Sequence, residues 1–334
     1  MAVLASGQLT LLDHAKRLDP NGRIGKVAEL LSVTNEILED AVFVEGNLPT
    51  GHQVNIRTGL PSVYWRALNQ GVPSSKSTTA QVTEACGMLE ARSHIDVEVA
   101  KLNGNTAEFR MSEDKPFIEA MNQEQASAMF YGNPGTDPKK YLGLAPRYSS
   151  LSAGNAQNII SGGGVGSDNT SVWLIGWSEE TIFCPFPKGA TAGLQHQDLG
   201  EDDVLDASGN TYRALKTLYN WKNGLAVKDW RYAVRIPNID VSDIAANNGS
   251  AAKLTELMLK AVDRIPSKSG VRLAFYMNRT VHSALRIQAL NKSSAVLSIM
   301  PAVNQFGDSE NWTYFDGVPL RKTDGILNTE ALVA

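Results

Sequence analysis

The segment from His52 to Val99 constrains this chain most. It opens with the strand formers Val54, Ile56, Val63, Tyr64 and Trp65, interrupted at Gly59-Leu60-Pro61. A polar tip follows, Gln70-Gly71-Val72-Pro73-Ser74-Ser75-Lys76-Ser77-Thr78-Thr79, too rich in turn formers to belong to a core. The chain returns through Val82, and then Ile95, Val97 and Val99 alternate with Asp96 and Glu98, the period-two pattern of a strand covered on one face. Together these predict a long two-stranded arm. A hairpin alone is marginal in water, so an arm carrying Tyr64 and Trp65 needs a surface to lie on. For Trp65 the sequence leaves interface and core equally open.

The flanking segments mix helices and strands. Ile24, Val27, Leu31, Thr34 and Leu38 recur at spacings of three and four and predict an amphipathic helix after the turn Asp19-Pro20-Asn21-Gly22. It ends near Glu39 and Asp40, with Ala41–Val44 extended, and its stripe must dock on its own core or on a neighbour. Ser112 is the expected N-cap of a second helix, with Glu113, Asp114 and Pro116 behind it. Phe117, Ile118, Met121, Gln125, Ala128 and Met129 keep helical spacing up to Gly132-Asn133-Pro134-Gly135. Such a helix, from about Ser112 to Tyr131, is roughly 30 Å long.

Beyond it, Val172–Trp177 reads as a buried strand and Glu180–Pro187 as extended chain. Gly189–Gly209 reads as a loop or a second hairpin, and Leu225–Ile239 as strand, with Val227, Trp230, Tyr232, Val234 and Ile236. Trp173, Trp177, Trp221 and Trp230 are assigned to the core. Helices are expected over Ala251–Val262 and Thr280–Leu290, and strands over Val271–Met277 and Tyr314–Leu320, before a short polar tail. The order defines an α+β chain.

Little in the sequence speaks of chemistry. With 31 basic against 35 acidic residues the net charge is -4, without the basic surplus of most nucleic-acid readers. Cys86 and Cys184 are too few for a disulfide framework and read as two thiols of a protein made in a reducing cytoplasm. Met1–Thr10 has no basic and apolar signal pattern, and no apolar run reaches the ~20 residues a membrane span needs. His14, His52, His94, His196 and His282 lack metal-ligand spacing. Gly162, Gly164 and Gly166 are followed by Ser167-Asp168, where a phosphate-binding loop would carry a lysine, so a plain loop is expected. No G-x-S-x-G elbow occurs, and Glu201-Asp202-Asp203 lacks the spacing of a calcium loop. No catalytic residue, cofactor or metal is therefore assigned.

The order of segments resembles the Hong Kong 97-like capsid fold of tailed bacteriophages: an N-terminal arm, an extended hairpin loop, a spine helix, a peripheral sheet and an axial α/β domain. Pro49-Thr50-Gly51-His52 through Arg57-Thr58-Gly59-Leu60-Pro61 is similar to the start of the extended loop. Ser112-Glu113-Asp114-Lys115-Pro116-Phe117-Ile118 through Phe130-Tyr131-Gly132-Asn133, followed by Gly143-Leu144-Ala145-Pro146-Arg147, resembles the spine helix and its exit. Asp229–Ile239 resembles a peripheral strand of short-tailed phage capsid proteins. Phe275-Tyr276-Met277-Asn278-Arg279 resembles the axial strand and helix, and Phe315–Arg321 with Asp324-Gly325-Ile326-Leu327 the closing strand.

The resemblance implies a major capsid protein with an N-terminal arm at 1–48, an extended hairpin loop at 49–100 and a peripheral domain at 101–240 containing the spine helix 112–131. An axial domain at 241–310 and a closing strand with tail at 311–334 complete it. It implies a shell in the virion, assembled in the host cytoplasm around double-stranded DNA touched without sequence preference, with no role for a membrane. The partners it implies are copies of the chain in hexamers and pentamers, a separate scaffolding protein, a portal protein and a decoration or cement protein. The expected intersubunit residues are Arg57, Tyr64, Trp65, Arg66 and Lys76 on the arm and Ile24, Val27 and Leu31 on the N-terminal helix. The alternatives are an encapsulin-type shell with protein cargo and, from another class, a cytoplasmic α+β enzyme with an unmarked site.

Overall fold

A computed structural model of the chain describes residues 35–101, 106–206, 208–246, 252–290, 297–303 and 309–334. The elements begin with α1 (Ile37–Asp40), β1 (Phe43–Glu45), β2 (Gly51–Gly59), β3 (Thr78–Asp96), α2 (Val97–Lys101), α3 (Thr106–Tyr131) and α4 (Leu144–Arg147). Then come β4 (Asn169–Trp177), β5 (Ile182–Phe186), β6 (Leu194–Leu205), β7 (Thr211–Gly224), β8 (Ala226–Val227), β9 (Ala233–Asp240) and α5 (Val241–Ala245). The remainder is α6 (Leu254–Asp263), β10 (Arg272–Met277), α7 (Arg279–Leu290), β11 (Leu297–Val303), β12 (Ser309–Phe315) and β13 (Val318–Lys322).

The described residues divide into two compact units. The larger holds Asn35–Gly87, Ala126–Ala192 and Asn223–Ala334. Its sheet runs β1-β5-β4-β10-β13-β12-β11, with β8 beside β5 and β9 beside β4. Strand β4 is buried along its whole length. That explains the unbroken apolar run Val172–Trp177, since a strand covered on both faces has no wet side. Its side chains alternate between two cores: Trp173, Ile175 and Trp177 enter one, and Val172 and Leu174 the other. On β10, Ala274 and Tyr276 join the first core, and Leu273, Phe275 and Met277 the second. The end of α3 closes the first core through Ala126, Ala128, Met129 and Phe130. Helices α6 and α7 close the second through Leu254, Met258, Ala261, Val262, Val281 and Leu285.

The smaller unit holds Met88–Gln125 and Gly193–Lys222. Here β6 and β7 pair antiparallel from Leu194↔Trp221 to Leu205↔Thr211, so the second hairpin expected for Gly189–Gly209 is present. Its core is small, formed by Ile95, Ala100 and Phe109 with Val99 and Leu215 against them. Arg110 forks onto Asp198 with two contacts of 2.9 Å and reaches the Thr217 hydroxyl at 3.1 Å. That bonding holds the Asp198 carboxyl down at about 2. Phe117 stacks on Tyr219 with ring centroids 6.2 Å apart.

Several expectations are corrected. The long helix begins at Thr106, so Ser112 lies inside it and is no cap. The extra turns carry Phe109 into the small core and Arg110 onto Asp198, and this packing outweighs the local start signal. Pro116 costs the helix one hydrogen bond in its interior. Val97 and Val99 are helical, because Asp96 Oδ1 accepts the Glu98 amide at 2.8 Å and ends the strand. Val63, Tyr64 and Trp65 are in no strand, since pairing of β2 with β3 stops at Gly59↔Thr78. Trp230 and Tyr232 stand in one turn of 3-10 helix, and Trp221 and Trp230 are half-buried, whereas Trp173 and Trp177 are core.

The final residues are no loose tail. Asn169 O accepts the Glu330 amide at 2.8 Å, and the Asn238 side chain exchanges two hydrogen bonds with the Val333 backbone, at 2.8 and 2.9 Å. The Gly162–Gly166 loop is shaped by close packing: a Cβ at Gly164 would stand 2.8 Å from both Asn169 Oδ1 and Asn238 O.

Candidate assembly surfaces

The arm is built by β2 and β3, paired antiparallel from Gly51↔Ala85 to Gly59↔Thr78. Its root is fixed inside the larger unit. The Arg147 guanidinium donates to both oxygens of Glu84, each at 2.7 Å, and also to the carbonyls of Leu142 and Leu225 at 3.2 Å. Glu84 is buried and Arg147 is largely covered, so the fork works where water screens it less than at the surface. From β2, His52 meets Phe183 of β5 edge to face at 5.2 Å. Gly51 allows the closest approach: a Cβ there would lie 2.1 Å from Glu84 O. The Cys86 thiol donates to Pro185 O at 3.3 Å, and burial pushes its pKa up to about 11.

The tip is the opposite of the root. Residues 60–77 form no regular structure, and their limbs are tied by a hydrogen bond of 2.7 Å from the Ser75 hydroxyl to Ser62 O. Trp65 is 104% exposed, Leu68 90%, Val63 88% and Leu60 82%, with Tyr64 and Val72 half-exposed or more. So many large apolar side chains facing water within so short a stretch make an apolar patch of a kind that soluble monomers rarely expose. Arg57, Arg66 and Lys76 are also exposed, and no acidic residue occurs anywhere from 46 to 83. The structure thus brings the five arm residues singled out by sequence to one solvent-facing segment. Ile24, Val27 and Leu31 lie outside the described residues.

The chain that leads into β1 is clamped as firmly as the arm. Arg321 forks onto Asp40 at 2.9 and 3.0 Å, the Tyr276 hydroxyl donates to the same carboxylate at 2.9 Å, and Trp177 Nε1 donates to Tyr276 at 2.9 Å. Glu36 stands 3.6 Å from Arg321, with its pKa raised by burial. A third buried pair joins Arg235 to Glu330 at 2.9 Å, and Glu330 also accepts from Ser171 and Tyr131. The Arg235 guanidinium lies 5.2 Å from the centre of the Trp173 ring. Sequence reasoning missed all three clamps. The one available signal was a charge inside an apolar strand, Arg235 between Val234 and Ile236 and Arg321 after Val318-Pro319-Leu320. Their carboxylate partners stand at 84, 40 and 330, where no local pattern points to them.

Among the described residues no group of three or more His, Cys, Asp or Glu side chains stands together as a metal site, and no helix is long and apolar enough to cross a membrane.

Comparison with known proteins places this geometry. A chain of the bacteriophage epsilon15 structure superposes with a TM-score of 0.76 at 32% identity, covering 100% of this chain and 99% of that one. Weaker likenesses include the capsid of a native GTA particle (TM-score 0.46, 9% identity, 66% and 95% covered) and the bacteriophage JBD30 capsid (0.42, 10%, 90% and 96%). No curated protein matches. The fold is the Hong Kong 97-like capsid fold, and the molecule is a shell subunit that assembles with copies of itself. Residues 19–334 match the model of the major capsid protein GP7, and the chain belongs to that family of tailed-bacteriophage major capsid proteins. Its role is structural and its place is the capsid of the virion. Neither the encapsulin nor the enzyme alternative is favoured by this family.

Proposed function

We propose that this chain closes an icosahedral shell around a double-stranded DNA genome by laying its arm, Arg57, Tyr64, Trp65, Arg66 and Lys76, across a neighbouring copy in hexamers and pentamers. The observation that carries this is the contrast within the arm, an exposed apolar tip on a root held by the buried Arg147–Glu84 fork. A fixed root aims the tip, and the irregular tip lets one sequence fit several slightly different neighbours. Ile24, Val27 and Leu31, outside the described residues, are proposed from the sequence pattern to contact a further copy. The assignment is an N-terminal arm at 1–48, an extended loop at 49–100, a peripheral domain at 101–240, an axial domain at 241–310 and a closing segment at 311–334. Within it, α6 and α7 stand near the symmetry axes.

The work of the protein is assembly and not catalysis, a reading that rests on the family and on the arm. Many weak contacts per subunit close a shell, because each new bond is made at high effective concentration. The family resemblance supports a separate scaffolding protein, a portal protein and a decoration or cement protein as partners. The absence of a basic surplus agrees with non-specific contact to DNA that must later leave. Deletion of Gln70–Ser77, with expression alongside the scaffolding protein, tests the reading. The deleted chain should keep its circular dichroism spectrum and form no shells. Normal shells by electron microscopy would overturn it.

A further inference from the structure

The arm tip carries a charge that nothing near it balances. Arg57, Arg66 and Lys76 have no carboxylate partner among the described residues, and 46–83 contains no acid. The chain as a whole is acidic at -4, so the compensating surplus lies elsewhere. It is concentrated in the smaller unit. The described residues of 88–125 and 193–222 contain 13 acidic against 7 basic side chains, a net of -6.

One surface in that unit is both acidic and uncovered. Strand β6 is an edge strand, exposed along most of its length. Past its irregularity at Asp198/Gly200 the side chains alternate, which puts Glu201, Asp203 and Leu205 on one face and Asp202 and Val204 on the other. Asp202 is taken by Lys216 at 2.6 Å. On the first face Arg213 of β7 stands opposite Asp203 and reaches Glu201 only at 3.5 Å, so two carboxylates face one cation; Asp203 has no ion pair among the described residues, and Leu205 is 61% exposed. This face is the reverse of the arm tip: carboxylates beside apolar surface where the tip has cations beside apolar surface.

We propose that the acceptor of the arm is the Glu201–Asp203–Leu205 face of a second copy, with Arg66 and Lys76 meeting its carboxylates and the apolar side chains of the tip covering Leu205. This rests on the arm being an assembly element and names the surface it meets. Complementary charge of this kind sets register and encounter rate more than affinity. An unscreened arm would also repel its own kind, so arm-on-arm pairing is disfavoured and arm-on-β6 pairing is selected. Exposed charges feel salt over a Debye length of ~10 Å at 0.1 M, so assembly should slow as ionic strength rises.

The test uses shells assembled from an equal mixture of nitrogen-14 and nitrogen-15 chains, treated with a water-soluble carbodiimide that joins amines to carboxylates. Lys76 should appear amide-linked to Glu201 or Asp203 in peptides of mixed isotope, which only two different copies can produce. Lys76 linked only to other carboxylates, or only within one isotope, would overturn the proposal. A charge swap gives the second reading. Lys76→Glu and Glu201→Lys/Asp203→Lys, separately, should lower the initial assembly rate at least tenfold, and their combination should recover most of it. A combination as slow as the slower parent would sink the proposed contact. If deletion of Gln70–Ser77 leaves shells intact, the arm itself is not an assembly element. If that deletion abolishes shells while Lys76 links elsewhere, the arm stands and only this acceptor fails.

Discussion

Arg147 and Glu84 meet in a two-pronged fork at 2.7 Å on each prong, one from the short helix after the long α3, the other from the return strand of the arm. The pair fixes where the arm leaves the body. Removing one partner strands a buried charge, which typically costs 3–5 kcal/mol. Glu84→Ala should therefore destabilise the chain by about 3 kcal/mol in urea unfolding. Glu84→Gln, which keeps an acceptor for the guanidinium, should lose less. Equal losses from the two variants would show that the charge is unimportant.

Two tryptophans should behave oppositely. Trp173 is fully buried between Phe130, Tyr148 and Arg235, and Trp173→Ala should cost about 3–5 kcal/mol. Trp65 is fully exposed, so Trp65→Ala should change the stability of the free chain by under about 0.5 kcal/mol. The same substitution should reduce shell yield. Urea unfolding of the free chain and electron microscopy of the assembly reaction read the two effects separately.

Trypsin cuts after exposed lysine and arginine in irregular chain. Arg66 and Lys76 lie in such a segment and Arg57 just before it. Unassembled protein should be nicked at these sites first, before the buried Arg147, Arg235 or Arg321. In assembled shells the same bonds should be protected at least tenfold. Equal cleavage in shells would mean that the tip stays uncovered.

His282 is buried against Lys322 and Arg286, and desolvation first, then these cations, lower its pKa to about 4. An unfolded histidine titrates near 6.5. Between those values the unfolded chain binds the extra proton, so stability falls as pH drops from about 6.5 towards 4. The loss is on the order of 2–3 kcal/mol over that window. His282→Asn should flatten this part of the profile in urea unfolding at pH 7 and pH 4.5, relative to the parent.

Burial raises the Cys184 thiol to about 12 and the Cys86 thiol to about 11. Since the thiolate is the reactive form, both should resist a thiol reagent at pH 8 and react together on unfolding. Fast labelling of either in the folded chain would contradict the tight packing of the arm root against Pro185.

Where a side chain's fate depends on its near neighbours, the sequence was enough. The run Val172–Trp177 read as a buried strand and Leu254, Leu257, Met258 and Ala261 as one face of a helix, and both stand so in the structure. The arm was legible as two strand patterns around an irregular tip, but Val63, Tyr64 and Trp65 read as strand and stand instead in that exposed tip, because pairing ends at Gly59↔Thr78. Other features turned on contacts between distant residues. Thr106 starts α3 because Phe109 and Arg110 find partners at Ile95 and Asp198, and Ser112 yields to them. Glu84 waits for Arg147, Asp40 for Arg321 and Glu330 for Arg235, across 63, 281 and 95 positions. Periodicity reports which face of an element is wet, a local property of the chain. A buried charge is tolerable only beside its counter-charge, and that meeting exists only once the chain has folded.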